Sequence, residues 1–397
     1  MANAPIILDL GSSEIKAGFS GQEAPKLRSP NYIGELKNKK NYKDTQSFYT
    51  SDECDKFMGN LILHFPIEHG VFKNPDDIFP VFNYIYTKLE IGQEGIKDHP
   101  ILISEPLHNQ ESNREKIAEI LFEKMGVPSL IFGLQPLLSL FSTAYTTGVI
   151  LESGDAITQS CVSYEGYLLP SSCFRYDYGG RDVTNVLGLL IDKNNYNFNF
   201  NNFTDMKIFK NIKEKQCYLK MYKEKPLSAD IDASNIDKDK DKKEEAKEDN
   251  LDDQFRSVNS EFILPDGNKI QLGDEKILAP EILFNSKLNF SELPSFHEIV
   301  FNSIIKADIN IKNKLYNTVV LSGGNTQFKG MEEKMKYNLE KLAPKHMKIK
   351  IRMNSNPQLS CWNGGNIISS LGSFRKMLVT KSDWDEKGRN IIHEKCI

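Results

Sequence analysis

Apolar and polar positions along this chain fall into blocks that switch between continuous apolar runs and helical spacing. Ile6-Ile7-Leu8-Asp9-Leu10 is a nearly unbroken apolar run of buried-strand type. Gly11-Ser12-Ser13 supplies turn chemistry, and Ile15-Lys16-Ala17-Gly18-Phe19 resumes extension. From Glu35 to Asp55 the chain is polar, rich in Lys, Asn, Asp and Ser without a clear period, which predicts a surface loop. Residues 99–150 alternate in the α/β manner. Ile101-Leu102-Ile103 predicts a strand, and Ser112-Asn113-Arg114-Glu115 a capping box whose Ser and Glu side chains each satisfy an orphan N–H. The helix it opens carries Ile117, Ile120, Leu121 and Met125 at three- and four-residue spacing, with Gly126 as a suitable stop. Leu130-Ile131-Phe132 predicts a strand, Gln135 to Ala144 an amphipathic helix, and Gly148 to Leu151 another strand.

The second half echoes the first. Leu8-Asp9-Leu10-Gly11-Ser12 and Leu151-Glu152-Ser153-Gly154-Asp155 both place an acid at a strand end and a Gly turn two residues later. An offset of about 140 residues points to duplication, with each half supplying one turn to a shared cleft. Residues 229–253 break the pattern, with eleven acids against five lysines and no aromatic residue. Such a segment cannot bury enough apolar surface to offset its ordering entropy, so a solvated, flexible insertion is expected. Order returns with the strand Thr318-Val319-Val320-Leu321, which runs into Ser322-Gly323-Gly324-Asn325. Lys348-Ile349-Lys350-Ile351 alternates as an edge strand should, and Asn363-Gly364-Gly365 reads as the opening of an apolar helical run to Met377.

Composition narrows the class. A chain of 397 residues exceeds what one hydrophobic core supports, so two lobes are the default. A net charge of −4 gives no basic field for direct nucleic-acid binding, and no apolar run reaches the roughly 20 residues of a membrane span. The N-terminus lacks the basic and apolar regions of a signal peptide. Six scattered cysteines (Cys54, Cys161, Cys173, Cys217, Cys361 and Cys396) contain no Cys-x-x-Cys, which fits reduced thiols in a cytosolic setting better than a disulfide framework or a zinc site.

Three Gly turns follow apolar strands, at 11–13, 154–156 and 323–325. Backbone N–H groups in such turns form a nest for anionic oxygens, and Gly lets the backbone come close. Acids beside them make sense with a cation between them and phosphate. Magnesium keeps several waters, so Asp9, Glu152 and Asp155 would act through those waters. Each turn alone is a common loop, and neither the P-loop nor the Rossmann glycine spacing occurs. The residues by themselves reach a two-lobed α/β protein with a phosphate cleft.

Several segments carry a more specific likeness. Phe65-Pro66-Ile67-Glu68-His69-Gly70 resembles Y-P-I-E-H-G of actin, and His99-Pro100-Ile101-Leu102-Ile103-Ser104-Glu105-Pro106-Leu107 resembles H-P-V-L-L-T-E-A-P-L. Thr146-Thr147-Gly148, Tyr164-Glu165-Gly166-Tyr167, Gly180-Arg181-Asp182, Ile212-Lys213-Glu214-Lys215, Leu264-Pro265-Asp266-Gly267, Leu321-Ser322-Gly323-Gly324 and His393-Glu394-Lys395-Cys396 continue the match in order. The chain resembles a divergent actin-related protein. Pro30-Asn31-Tyr32-Ile33-Gly34 and Phe328-Lys329-Gly330 are more similar to centractin, the dynactin actin-related protein, than to conventional actin.

The resemblance implies the α/β actin/Hsp70/hexokinase-like ATPase fold, with two duplicated lobes around a cleft for ATP or ADP and Mg or Ca. It implies a first lobe over 1–145 with the polar loop 35–55, a second over 146–340 with the insertion 229–253, and a segment 341–397 that returns to the first. Carried over by position, Asp9, Gly11, Ser12, Ser13 and Lys16 fall in the first phosphate loop and Gly154, Asp155 and Ala156 in the second. Lys210, Lys213, Glu214, Gly323, Gly324 and Phe328 fall on the base and ribose side. Gln135 matches the residue that positions the attacking water, with Asp155 beside it. Phe141, Ala144, Thr146, Gly166, Tyr167, Ile368, Leu371 and Met377 match a groove that takes a partner's amphipathic helix; the bland alternative makes some of them core.

The departures bear on activity. Glu152 stands where the family has Asp, Gln159 replaces a His that could take up a proton, and Ala156 replaces a Gly. Lys210 replaces Arg, Gln327 Met and Gln358 Lys. Nucleotide binding with slow or absent hydrolysis, at most a weak ATPase, is expected. The loop matching actin's apolar insertion tip reads Leu36-Lys37-Asn38-Lys39-Lys40-Asn41-Tyr42-Lys43-Asp44, and burying its lysines would carry a desolvation penalty. The segment Asn285 to Ser295, matching the inter-strand plug, is also rewritten. The leading expectation is a structural subunit of a cytoskeletal or dynein-linked assembly, in the cytoplasm or an axoneme, with actin-like neighbours or a helix in the groove as partners. A filament-forming centractin-type ATPase, a nuclear subunit of a chromatin remodeller, and a sugar or glycerol kinase on the same broad fold are the alternatives.

Overall fold

The computed structural model describes residues 3–37, 48–92, 95–192, 198, 203–221, 260–285 and 293–395. The tip of the polar loop, the insertion at 229–253 and most of the segment 285–295 lie outside these residues. In chain order, the strands of the two main sheets are β1 (Ile6–Leu10), β2 (Glu14–Phe19), β3 (Leu27–Pro30), β4 (Ile101–Glu105), β5 (Ser129–Leu134) and β6 (Gly148–Ser153), followed by β7 (Thr158–Tyr164), β8 (Tyr167–Leu168), β9 (Phe174–Tyr176), β10 (Val319–Ser322), β11 (Ile351–Met353) and β12 (Val379–Thr380). The first sheet runs β12-β5-β4-β1-β2-β3, and the second β8-β7-β6-β10-β11 with β9 also against β7.

Both sheets follow one plan. An antiparallel hairpin (β1–β2, β6–β7) pairs through its first strand with a later parallel strand (β4, β10), which carries a further parallel neighbour (β5, β11). β1 and β4 are buried along their whole length, which is why they read as continuous apolar runs. The register sets Asp9 opposite Lys16 in one hairpin and Glu152 opposite Gln159 in the other. The echo in the sequence is thus an echo in space.

The core around the first sheet draws on residues from Ile6 to Leu138 and again from Cys361 to Ile392, while the second draws on Val149 to Ile351. Four helices position the cleft: α1 (Gln135–Phe141), α2 (Gly180–Asp192), α3 (Phe203–Gln216) and α4 (Ser360–Ser369). Pro136 is tolerated in the first turn of α1, where its missing N–H would have no intrahelical partner. α4 crosses α1 so closely that a Cβ on Gly364 would lie 1.8 Å from the Leu138 carbonyl oxygen. No helix among the described residues is long and apolar enough to cross a membrane.

The structure corrects four local readings. Gly364 and Gly365 do not open a helix but sit inside α4, where Gly364 permits the close crossing and Gly365 faces Ile7 and Leu102 of the sheet. The helix at 111–119 starts at Glu111 without a side-chain cap, because Asn113 accepts from the Phe72 amide and Glu115 meets His393. The polar stretch at 35–55 is structured at both ends: Leu36 closes a strand, Phe48–Thr50 forms another, and Tyr49, Ser51 and Cys54 are buried. At the last edge strand, extension begins at Ile351 instead of Lys348.

Candidate functional site

The site starts from two matching turns. After β1, the Gly11 amide donates to the Glu14 carbonyl at 3.1 Å; after β6, the Gly154 amide donates to the Ile157 carbonyl at 2.9 Å. Both turns line the cleft between the sheets, and N–H groups of such turns can form a nest for anionic oxygens. The third turn follows β10. Gly323 has φ +88°, and a Cβ there would lie 2.2 Å from the Ser153 carbonyl oxygen, so only glycine fits. Asn325 ties this turn to the second, donating to Ser153 Oγ at 2.9 Å and to the Gly154 carbonyl at 2.7 Å.

The three turns converge on a cleft of about 490 Å³, the size of a small-molecule or cofactor site. Asp9, Gly11, Ser12, Ser13, Lys16, Gln135, Glu152, Gly154, Asp155, Ala156, Lys210, Lys213, Glu214, Gly323, Gly324 and Phe328 all line it, as do Gln159, Gln327 and Gln358.

The floor is a polar chain. Lys16 Nζ pairs with Asp9 Oδ2 at 3.0 Å, and Ser104 Oγ donates to Asp9 Oδ1 at 2.7 Å. Burial works against the Lys16 ammonium, but Asp9 and Glu14 outweigh it and hold its pKa above the usual lysine value. Gln135 Nε2 donates to Ser104 Oγ at 3.3 Å, and Gln135 Oε1 accepts from Gln159 Nε2 at 3.1 Å. Gln159 is itself anchored, because its Oε1 accepts from the Leu107 amide at 2.8 Å. Where the first hairpin sets a lysine against its acid, the second sets this neutral amide, 3.4 Å from Glu152 Oε2. Withdrawal from water, and then the charge of Asp9, push the Glu152 carboxyl up to about 8.

Other residues close the cleft from the side. Lys210, on α3, donates to Ser13 Oγ at 2.5 Å and so joins the second half of the chain to the first turn. Lys213 is buried and donates to the Gly180 carbonyl at 2.7 Å, with its pKa lowered by that burial. Asp155 lines the cleft, but Arg181 holds its carboxylate (Nε to Oδ2, 3.1 Å). Asp9 is held in the same way by Lys16 and Ser104, and its charge is felt at Glu152. Among the described residues no three His, Cys, Asp or Glu side chains converge on one point. This donor set fits a cation held by phosphate oxygens and water, with the carboxylates behind the water, and does not fit an all-protein cage.

The groove residues lie elsewhere. None of Phe141, Ala144, Thr146, Gly166, Tyr167, Ile368, Leu371 and Met377 is buried, and Tyr167 is 78% exposed. Phe141 and Ile368 lie at or near the ends of α1 and α4, Tyr167 opens β8 and Met377 ends the short helix Phe374–Met377; of these residues Ile368 packs against the first core.

Sequence reasoning missed Gly180, which contributes through a carbonyl, and Arg175, which reaches the Leu107 carbonyl at 3.2 Å and the His69 carbonyl at 2.6 Å. The surrounding Gly180-Arg181-Asp182 motif was the available signal for the first; nothing signalled the second. A family model described as Actin matches residues 2–397. With both sheets, the duplicated hairpins and the whole length covered by that match, the chain belongs to the actin family.

Proposed function

We propose that this chain is an ATP- or ADP-binding actin-related structural subunit of a cytoplasmic, cytoskeletal assembly, one that holds its nucleotide and hydrolyses it slowly. The observation that carries this reading is the state of Gln135. Both ends of its amide are engaged by protein, Oε1 accepting from Gln159 and Nε2 donating to Ser104, so the side chain is held and one lone pair of Oε1 is already committed. Phosphoryl transfer is mostly positioning and electrostatics, and this glutamine is positioned for the protein.

The turns at Gly11 and Gly154 would bind phosphate oxygens through N–H groups, with Lys16 and Lys210 as counter-charges. Lys213, Glu214 and Phe328, which line the same cleft, would contact the base and ribose. A bound Mg or Ca ion would neutralise phosphate charge, with Asp9 and Glu152 orienting its waters. A partner helix in the exposed groove and a place in a dynein-linked complex are supported by the groove's exposure and by the centractin-like segments. Weak self-assembly is supported by the lysine-rich loop at 36–44.

The test is one preparation assayed two ways. After incubation with saturating Mg-ATP and desalting, one nucleotide per chain is expected, with phosphate release slower than one turnover per several minutes. A nucleotide-free protein would overturn the binding claim. Fast repeated turnover together with sedimenting homofilaments would instead favour a filament-forming ATPase.

A further inference from the structure

Two cysteines that play no part in the cleft meet in the fold. The ladder between β7 and β9 runs Thr158↔Tyr176, Gln159↔Arg175 and Ser160↔Phe174, and Cys161 and Cys173 are the residues next beyond its last pair. A disulfide needs Cα atoms roughly 4.4–6.8 Å apart, a range that residues flanking the end of an antiparallel ladder can reach. Both are free thiols, and both pack in the small apolar cluster of Leu107, Leu140, Ile150 and Val320 beneath α1. The Cys173 thiol donates to the Leu169 carbonyl at 3.5 Å, and the two thiols are near enough to influence each other's protonation.

The two thiols are unequal. Cys161 is fully buried, whereas Cys173 is partly exposed. The neighbouring Cys161 holds the Cys173 thiol below the ordinary cysteine value, and Cys173, with burial, raises Cys161. Burial pushes the thiols of Cys54 and Cys217 up to about 12, so Cys173 stands apart from them. An accessible thiol with thiolate character beside a buried resolving thiol is the arrangement that oxidises selectively.

We propose that Cys173 and Cys161 are a peroxide-responsive dithiol that closes reversibly to a disulfide. The Cys173 thiolate attacks one oxygen of hydrogen peroxide, the O–O bond breaks, and the released hydroxide takes a proton to become water, leaving a sulfenic acid on Cys173. The Cys161 sulfur then attacks the Cys173 sulfur, the S–O bond breaks, and hydroxide leaves with the Cys161 proton as a second water. Two thiols and one peroxide give one disulfide and two waters, the thiols supplying both electrons. The bond would lie behind the rung Gln159↔Arg175, whose two side chains reach Leu107 of the first half of the chain. Closing it stiffens the strands that carry those contacts.

The test treats the full-length protein with a small excess of hydrogen peroxide, blocks free thiols and maps peptides by mass. A linked Cys161–Cys173 peptide, four alkylated cysteines of the original six, and recovery of all six with dithiothreitol are expected. In Cys161→Ser the reaction stops at a sulfenic acid on Cys173 that dimedone traps, and in Cys173→Ser no oxidation occurs at Cys161. In the untreated protein Cys173 is expected to alkylate at least tenfold faster than Cys161. Oxidation elsewhere with both of these thiols left intact would overturn the proposal. So would equal alkylation of the two, or dimedone capture at Cys161 instead of Cys173.

Discussion

Replacing Gly364 with alanine tests whether the α1–α4 crossing is a backbone contact that tolerates no side chain. The new Cβ would lie 1.8 Å from the Leu138 carbonyl oxygen, 2.4 Å from its carbon and 2.9 Å from its Cα. Helix propensity alone favours alanine by about 1 kcal/mol. Overpacking costs typically 1–3 kcal/mol, and the upper end applies here because the obstacles are backbone atoms that no rotamer change can remove. A net loss of roughly 2 kcal/mol is therefore expected. Gly365, one residue along, is the internal control. Its added Cβ would meet Ile7 Cγ2 at 2.8 Å and Leu102 Cδ2 at 3.2 Å, side-chain methyl groups instead of the backbone atoms that face Gly364. The same propensity gain then nearly cancels a smaller cost, and Gly365→Ala should fall within about 1 kcal/mol of the parent. Urea unfolding of the three proteins, read as midpoints at constant slope, gives the ordering. A Gly364→Ala protein as stable as the parent, or less perturbed than Gly365→Ala, would refute the reasoning.

Three further outcomes are expected. Gln159→His should free Gln135 Oε1 and raise phosphate release on the order of tenfold or more; an unchanged rate would show that Gln159 is not what restrains turnover. Glu152 carries a raised folded-state pKa near 8 against 4.5, so the nucleotide-free protein has the stability tied to its protonated form in full below pH 4.5. That stability is lost progressively as pH rises towards 8, and Glu152→Gln should flatten this slope in thermal melts at pH 5 to 8.5. Lys210→Ala removes the charged bond to Ser13; such bonds contribute about 1.5–3 kcal/mol, so release of a fluorescent ATP analogue in stopped flow should quicken at least tenfold.

What could be read in advance followed physical lines. β1 and β6 announced themselves because strands buried on both faces must be apolar throughout, and the glycines after them marked the turns. Gly364 and Gly365 misled because composition does not distinguish a glycine placed for chain reversal from one placed for close helix approach. Ser112 matched a capping pattern, yet Asn113 and Glu115 found partners in Phe72 and His393, distant in sequence. Asp155 was placed in the cleft by its turn, but its carboxylate direction depends on Arg181, which no local spacing announces. Cys161 and Cys173 showed no motif because the β7–β8 hairpin lies between them and only the return of β9 brings them together.

The return of the chain end to the first sheet sets the order of events during synthesis. Trp362, Phe374, Val379, Trp384 and Ile392 are buried in the core built on β1, and β12 pairs with β5. Every residue of the second core precedes them. On a ribosome the later half can therefore complete its interior first, while the earlier half waits with an unfinished apolar face. From Leu138 to Ile392 is about 250 residues, which at typical synthesis rates is a delay of roughly 12 to 50 s. A chain truncated before Ser360 would keep that face open indefinitely. Aggregation in the cell should therefore depend more on the last forty residues than their small share of the mass would indicate.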